Sequence, residues 1–103
     1  MSQHYFETTC KGKHITVLVG WDYGAQGFFM VIEDEEYEVI WSNLLHAKNP
    51  FPKTLEPFLK VLEKIHITMP QPMIHEVIQD SIDNIDDHKM IAHAIENGQY
   101  IRW

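Results

Sequence analysis

The chain has 103 residues, 45% of them hydrophobic and 22% charged, which is the composition of one packed domain rather than of a disordered segment or of two independent cores. Its formal net charge is −7, from 15 acidic and 8 basic residues. Such a surface repels nucleic-acid phosphates and anionic membranes, so direct binding to either is not expected, whereas a protein partner with a basic surface suits it. Cys10 is the single cysteine, which excludes an internal disulfide. The opening "MSQHYFETTC" lacks the basic-then-apolar pattern of a secretory leader, and no apolar run approaches the roughly 20 residues that span a bilayer. A reducing cytoplasm is therefore the expected compartment.

The N-terminal half reads as strands. "HYFETT" is the first, and "CKGKH" turns on Gly12. "HITVLVGW" and "GFFMVIE" follow, rich in β-branched and aromatic residues. "EDEE" turns the chain again, and "YEVIWSNL" is the fourth strand. Short connections imply an antiparallel meander. In the second and third strands Ile15, Val17 and Val19 oppose Leu18, while Phe28, Met30 and Ile32 oppose Phe29 and Val31. Both faces of the sheet are apolar there, so both require cover.

The C-terminal half reads as helices. "AKNPFPK" is a linker, and Thr54 is placed to cap a helix whose stripe is Leu55, Phe58, Leu59, Leu62 and Ile65. "HITMPQP" ends it. A second helix starts near Pro72, with Ile74, Val77, Ile78, Ile82 and an extension to Ile85 as its buried stripe. A third is predicted from Asp86 through Met90, Ile91, Ala94 and Ile95, with Gly98 as its left-handed C-terminal residue. "QYIRW" then returns as a short edge strand. The expected fold is α+β over residues 1–103: a four- to five-stranded antiparallel meander packed by two or three C-terminal helices. Three short helices form one layer most easily, which would leave a sheet face for a second copy to cover in a homodimer.

The insert "WDYGAQG" between the second and third strands carries glycines, but a strand follows it and no Lys–Ser/Thr pair does. A phosphate loop needs a helix there, so a hairpin is expected, with Gly24 supplying a positive φ. Trp21, Asp22 and Tyr23 then lie at its tip, either closing the core or displayed to a partner. The acidic run Glu33, Asp34, Glu35, Glu36 and Glu38 is a solvated turn or a contact patch. Glu76, Asp80, Asp83 and Asp87 recur at three or four residues, opposite the apolar stripe, as a second acidic face.

No assembled catalytic motif is found. "HEVIQ" begins like the zincin H-E-x-x-H, but Gln79 stands where the second histidine must be, and His88 and His93 are five apart. No metal site and no cofactor are expected on this spacing. Lys11 and Lys13 flank the turn beside Cys10, yet a lone cysteine is ordinarily inert.

"VLVGWDYGAQGFFMVIE", with "SNL" shortly after and "PKTLEPFLKVL" later, resembles a group of short bacterial proteins that share a Gly-Trp-Asp turn, Gly-Phe-Phe and an apolar strand. The resemblance covers roughly two-thirds of the chain. It implies a bacterial origin and draws attention to Gly20, Trp21, Asp22, Gly27 and Phe28, but it carries no activity with it. The leading expectation is a small acidic protein-binding module (an inhibitor, immunity-type protein or adaptor) using Trp21, Asp22, Tyr23, Glu35, Glu36, Glu76, Asp80 and Asp83, without catalysis of its own. The alternatives are a small enzyme that pairs Asp22 with a histidine such as His46, and an acidic nucleic-acid mimic that presents Glu76, Asp80, Asp83 and Asp87 in place of phosphates.

Overall fold

A computed structural model describes residues 1–96 and 98–103. The first three strands are β1 (Ser2–Cys10), β2 (Lys13–Asp22) and β3 (Gly27–Asp34), followed by the short β4 (Val39–Ser42). Three helices come next: α1 (Asn43–His46), α2 (Glu56–Lys64) and α3 (Gln71–Ile82). The hairpin β5 (Lys89–Glu96) and β6 (Gln99–Arg102) closes the chain. The sheet has six strands in the order β4-β3-β2-β1-β5-β6, antiparallel throughout except that β5 runs parallel to β1. The fold is α+β as expected, with one more strand than the sequence reading allowed.

That extra strand replaces the predicted third helix. Met90, Ile91, Ala94 and Ile95 satisfy a helical spacing, but the chain alternates instead. Lys89, Ile91 and His93 turn toward the helices, while Met90, Ala92 and Ala94 turn away. The polar Lys89 and His93 on the inward face hide the period of two. Gly98 does adopt a positive φ (77°), but in the β5–β6 turn rather than at a helix end. A parallel partner for β1 requires a long crossover, and the three helices lie within it.

One core holds the molecule together. Phe6, Ile15, Val17, Val19, Trp21, Phe28, Met30 and Ile32 project from one face of the sheet. Leu55 at the start of α2, Phe58 and Leu62 within it, and Met73 and Val77 of α3 cover them. Both long helices therefore form a single layer. Among the described residues, no helix lies over the centre of the opposite face. A cross-strand row runs along it through Val31, Leu18, Tyr5, Ala92 and Trp103, flanked by the exposed Met90 and Ile101. Phe29 also lies on this side and is buried, its ring occupying the space that the missing side chain of Gly20 leaves.

Local chemistry fixes the connections. Ser42 caps α1 by accepting from the backbone N–H groups of Leu44 and Leu45. Buried Asn43 accepts from Met30 N–H (3.3 Å) and donates to the Pro50 carbonyl (2.7 Å), tying the linker to β3. The linker then crosses the start of β3, where Phe28 N–H donates to the Pro52 carbonyl at 2.9 Å. No helix among the described residues is long and apolar enough to cross a membrane.

Candidate functional site

A chain of polar side chains lies beneath α3, where β1 and β5 run side by side. His4 of β1 and His93 of β5 are buried, as is Asp80 of α3. His4 Nε2–H donates to Asp80 Oδ2 at 2.6 Å. On the other side of the ring, His4 Nδ1 stands 2.8 Å from His93 Nε2. The remaining nitrogen of His93 is hydrogen-bonded to the Tyr100 hydroxyl of β6. With Asp80 ionised and both rings neutral, a single assignment pairs every atom. Tyr100 O–H donates to His93 Nδ1, His93 Nε2–H donates to His4 Nδ1, and His4 Nε2–H donates to Asp80. Among the described residues no buried side-chain polar atom is left without a partner.

Charged groups close both ends. Lys89 Nζ stands 2.8 Å from Asp80 Oδ1, and Arg102 Nε donates to Glu76 Oε2 at 2.7 Å. Burial would raise the carboxyl pKa of Asp80, but hydrogen bonds from Lys89, His4 and Ser2 outweigh it and hold the group below its ordinary value. Glu76 behaves alike: burial opposes ionisation, and Arg102 overcomes it. Burial above all pushes His93 down to about 4, so its ring is neutral near pH 7. Tyr100 is raised, by burial and then by the Glu76 charge, which keeps its hydroxyl a donor.

Each element places its residues for a physical reason. Glu76 and Asp80 are one turn apart on α3, with Met73 and Val77 anchoring that helix in the core between them. The register pairs His4 with Ile91 and Phe6 with His93, so the two histidines sit diagonally on one face. Three ligand atoms, one each from His4, Glu76 and His93, lie within 4.8 Å of one another. Ligand spacing within a single element does not reveal this group, which draws on a strand, a helix and a strand far apart in the chain.

The residues singled out in the sequence divide sharply. Trp21 is not displayed at a loop tip. It is 6% exposed, stacks edge-on against Phe28 at 5.2 Å, and donates from Nε1 to Asn84 at 3.2 Å. Asp22 accepts from Ala25 N–H (3.1 Å) and serves its own turn. The positive φ of that turn belongs to Gln26 (51°), not Gly24. Tyr23, Glu35, Glu36 and Asp83 are exposed, whereas Glu76 is half-buried and Asp80 buried. The supposed acidic face of α3 is thus split. Two of its members are ion-paired under the helix, and Asp87 lies beyond the helix end, which removes the basis for a phosphate-mimicking stripe. His46, proposed with Asp22, instead accepts from Ser42 N–H at 3.0 Å within its own turn. The sequence reading missed His4, His93 and Tyr100. The one available signal was the placement of histidine among apolar residues at every second position in "HYF" and "IAHAI".

Glycines and aromatics of the resemblance motif have structural duties. Gly20 admits the Phe29 ring, and Gly27 lies against the Phe51 backbone, which a Cβ would approach to 2.5 Å. Comparison with protein-family models, curated proteins and solved structures yields no match to this chain. The geometry alone carries its functional reading.

Proposed function

We propose that the protein is a small acidic binding module of a bacterial cytoplasm, an inhibitor, immunity-type protein or adaptor, that docks a protein partner on the uncovered face of its sheet. The observation that carries this reading is the position of both long helices on one side, with Val31, Leu18, Tyr5, Ala92 and Trp103 in line on the other. Met90 and Trp103 are each 65% exposed there. They border a depression of about 650 Å³ lined also by Tyr5, Glu7, His14 and Ala92. An aromatic-aliphatic centre with a charged rim is the anatomy of a protein interface. Glu7 and Glu33 stand on the same face, and Glu35 and Glu36 are exposed in the turn that follows β3, so a partner with an apolar centre and a basic rim fits it. The surface that binds is then the sheet together with the acidic turn, rather than Trp21.

The test compares binding by the intact protein with that of Met90→Glu and Trp103→Ala. A specific partner retained by the intact chain is expected to be lost by at least about tenfold in affinity when such an anchor is removed, with the thermal midpoint unchanged. A partner that both variants retain in full would refute the assignment of this face. A dimer of the protein itself that Met90→Glu dissociates would identify a second copy as the occupant.

A further inference from the structure

We propose that His4, His93 and Glu76 form a binding site for a divalent transition-metal ion of the zinc and iron(II) class, independent of the sheet-face reading. Two imidazole nitrogens and one carboxylate oxygen within 4.8 Å of one another are a ligand set of that class. The two facing nitrogens, His4 Nδ1 and His93 Nε2, are 2.8 Å apart, and His93 Nε2 is 3.9 Å from Glu76 Oε2. Tetrahedral ligands at ordinary zinc distances stand about 3.3 Å apart. These two separations bracket that value, so the rings part and the carboxylate closes on His93 by roughly half an ångström, while His4 Nδ1 and the Glu76 carboxylate start within 4.8 Å of each other.

The surrounding groups are those that hold metal-ligating histidines. Each ring has its far nitrogen engaged, His4 Nε2 by Asp80 and His93 Nδ1 by the Tyr100 hydroxyl. This fixes ring orientation and directs the other nitrogen inward. In proton terms, metal binding asks for a change of tautomer at His93. The proton on His93 Nε2 leaves to water, Nδ1 takes one and donates it to the Tyr100 oxygen, and the Tyr100 hydroxyl turns its own hydrogen outward. The proton count is unchanged. Both histidine side chains are fully buried, while Glu76 is 26% and Arg102 46% exposed, so an ion enters past Glu76 and a water from that side completes its shell.

Arg102 opposes the ion. It holds the same Glu76 oxygen and adds positive charge, and Lys89 already neutralises Asp80. The affinity is therefore below that of an all-thiolate structural site, and Arg102 sets it. This competition gives the test a readout that a merely structural cluster lacks. Tag-free protein stripped with chelator is titrated with zinc by calorimetry and with cobalt(II) by visible absorption. The expected result is one ion per chain and the d–d bands of a low-symmetry nitrogen–oxygen site. Glu76→Gln, which keeps shape and fold, should weaken zinc by at least about tenfold, as should His93→Ala. Arg102→Ala should tighten it. No zinc or cobalt binding up to submillimolar concentration, or binding that Glu76→Gln leaves unchanged, would overturn the assignment.

Discussion

His93 makes the metal-free protein sensitive to acid. In the unfolded chain its ring takes a proton near its ordinary pKa of 6.5, but in the fold it resists until about 4. Between those values the unfolded state binds more protons, so stability rises with pH across the window and falls on acidification through it. The full shift corresponds to about 3 kcal/mol. Asp80 acts lower on the scale. Its folded pKa is depressed, so its contribution is complete above the unfolded value and lost only as pH falls through the folded one. Denaturant melts between pH 7 and 4 should show the fall, and His93→Gln should flatten it; an unchanged slope would disprove the role of this ring. Trp21 belongs to the same scale. Its ring fills the end of the core and its N–H is paired, so Trp21→Ala is expected to cost about 3–5 kcal/mol, read as a drop in thermal midpoint.

Among the elements, the β2–β3 hairpin separates a required glycine from a tolerant one. A Cβ on Gly27 would meet the Phe51 carbonyl oxygen at 2.5 Å and its Cβ at 2.7 Å. That segment is tied down by the Asn43 and Phe28 hydrogen bonds, so it cannot retreat freely. Gly27→Ala should therefore destabilise by about 1–3 kcal/mol. Gly24 has no positive φ, and its nearest neighbour is the Asp22 carboxylate at 3.4 Å. Gly24→Ala should stay within about 0.5 kcal/mol of the parent in the same melt. Equal losses at the two positions would contradict the crossing of the linker over β3. The strands β1 to β3 and the helices α2 and α3 were legible because their apolar residues repeat at one clear period. β5 was not, because the positions that mark its inward face are Lys89 and His93, and burying them needed partners from α3 and β6.

At the scale of the whole molecule, charge distinguishes the possible occupants of the open face. Each copy carries a formal charge of −7, and Glu7 and Glu33 lie on the face itself. Two copies face to face repel, and salt screens that repulsion over about 10 Å at 0.1 M. A basic partner is attracted, and salt weakens it. Binding through the proposed face is thus expected to fall as ionic strength rises, measured by titration at two salt concentrations. Light scattering that instead shows a dimer growing with salt would assign the face to self-association.

The sequence alone determined the class of fold, the one-core size, the acidic surface and most of the strands and helices. These follow from composition and from periodicities that neighbouring residues enforce on one another. Only the tertiary structure decided that β5 runs parallel to β1, that both long helices cover the same face, and that His4 and His93, 89 residues apart, stand nitrogen to nitrogen over Asp80 and Glu76. Local patterning fixes which way a side chain points from its own element. Which buried polar groups meet depends on how the elements pair, because each is stable inside only when a distant partner satisfies it.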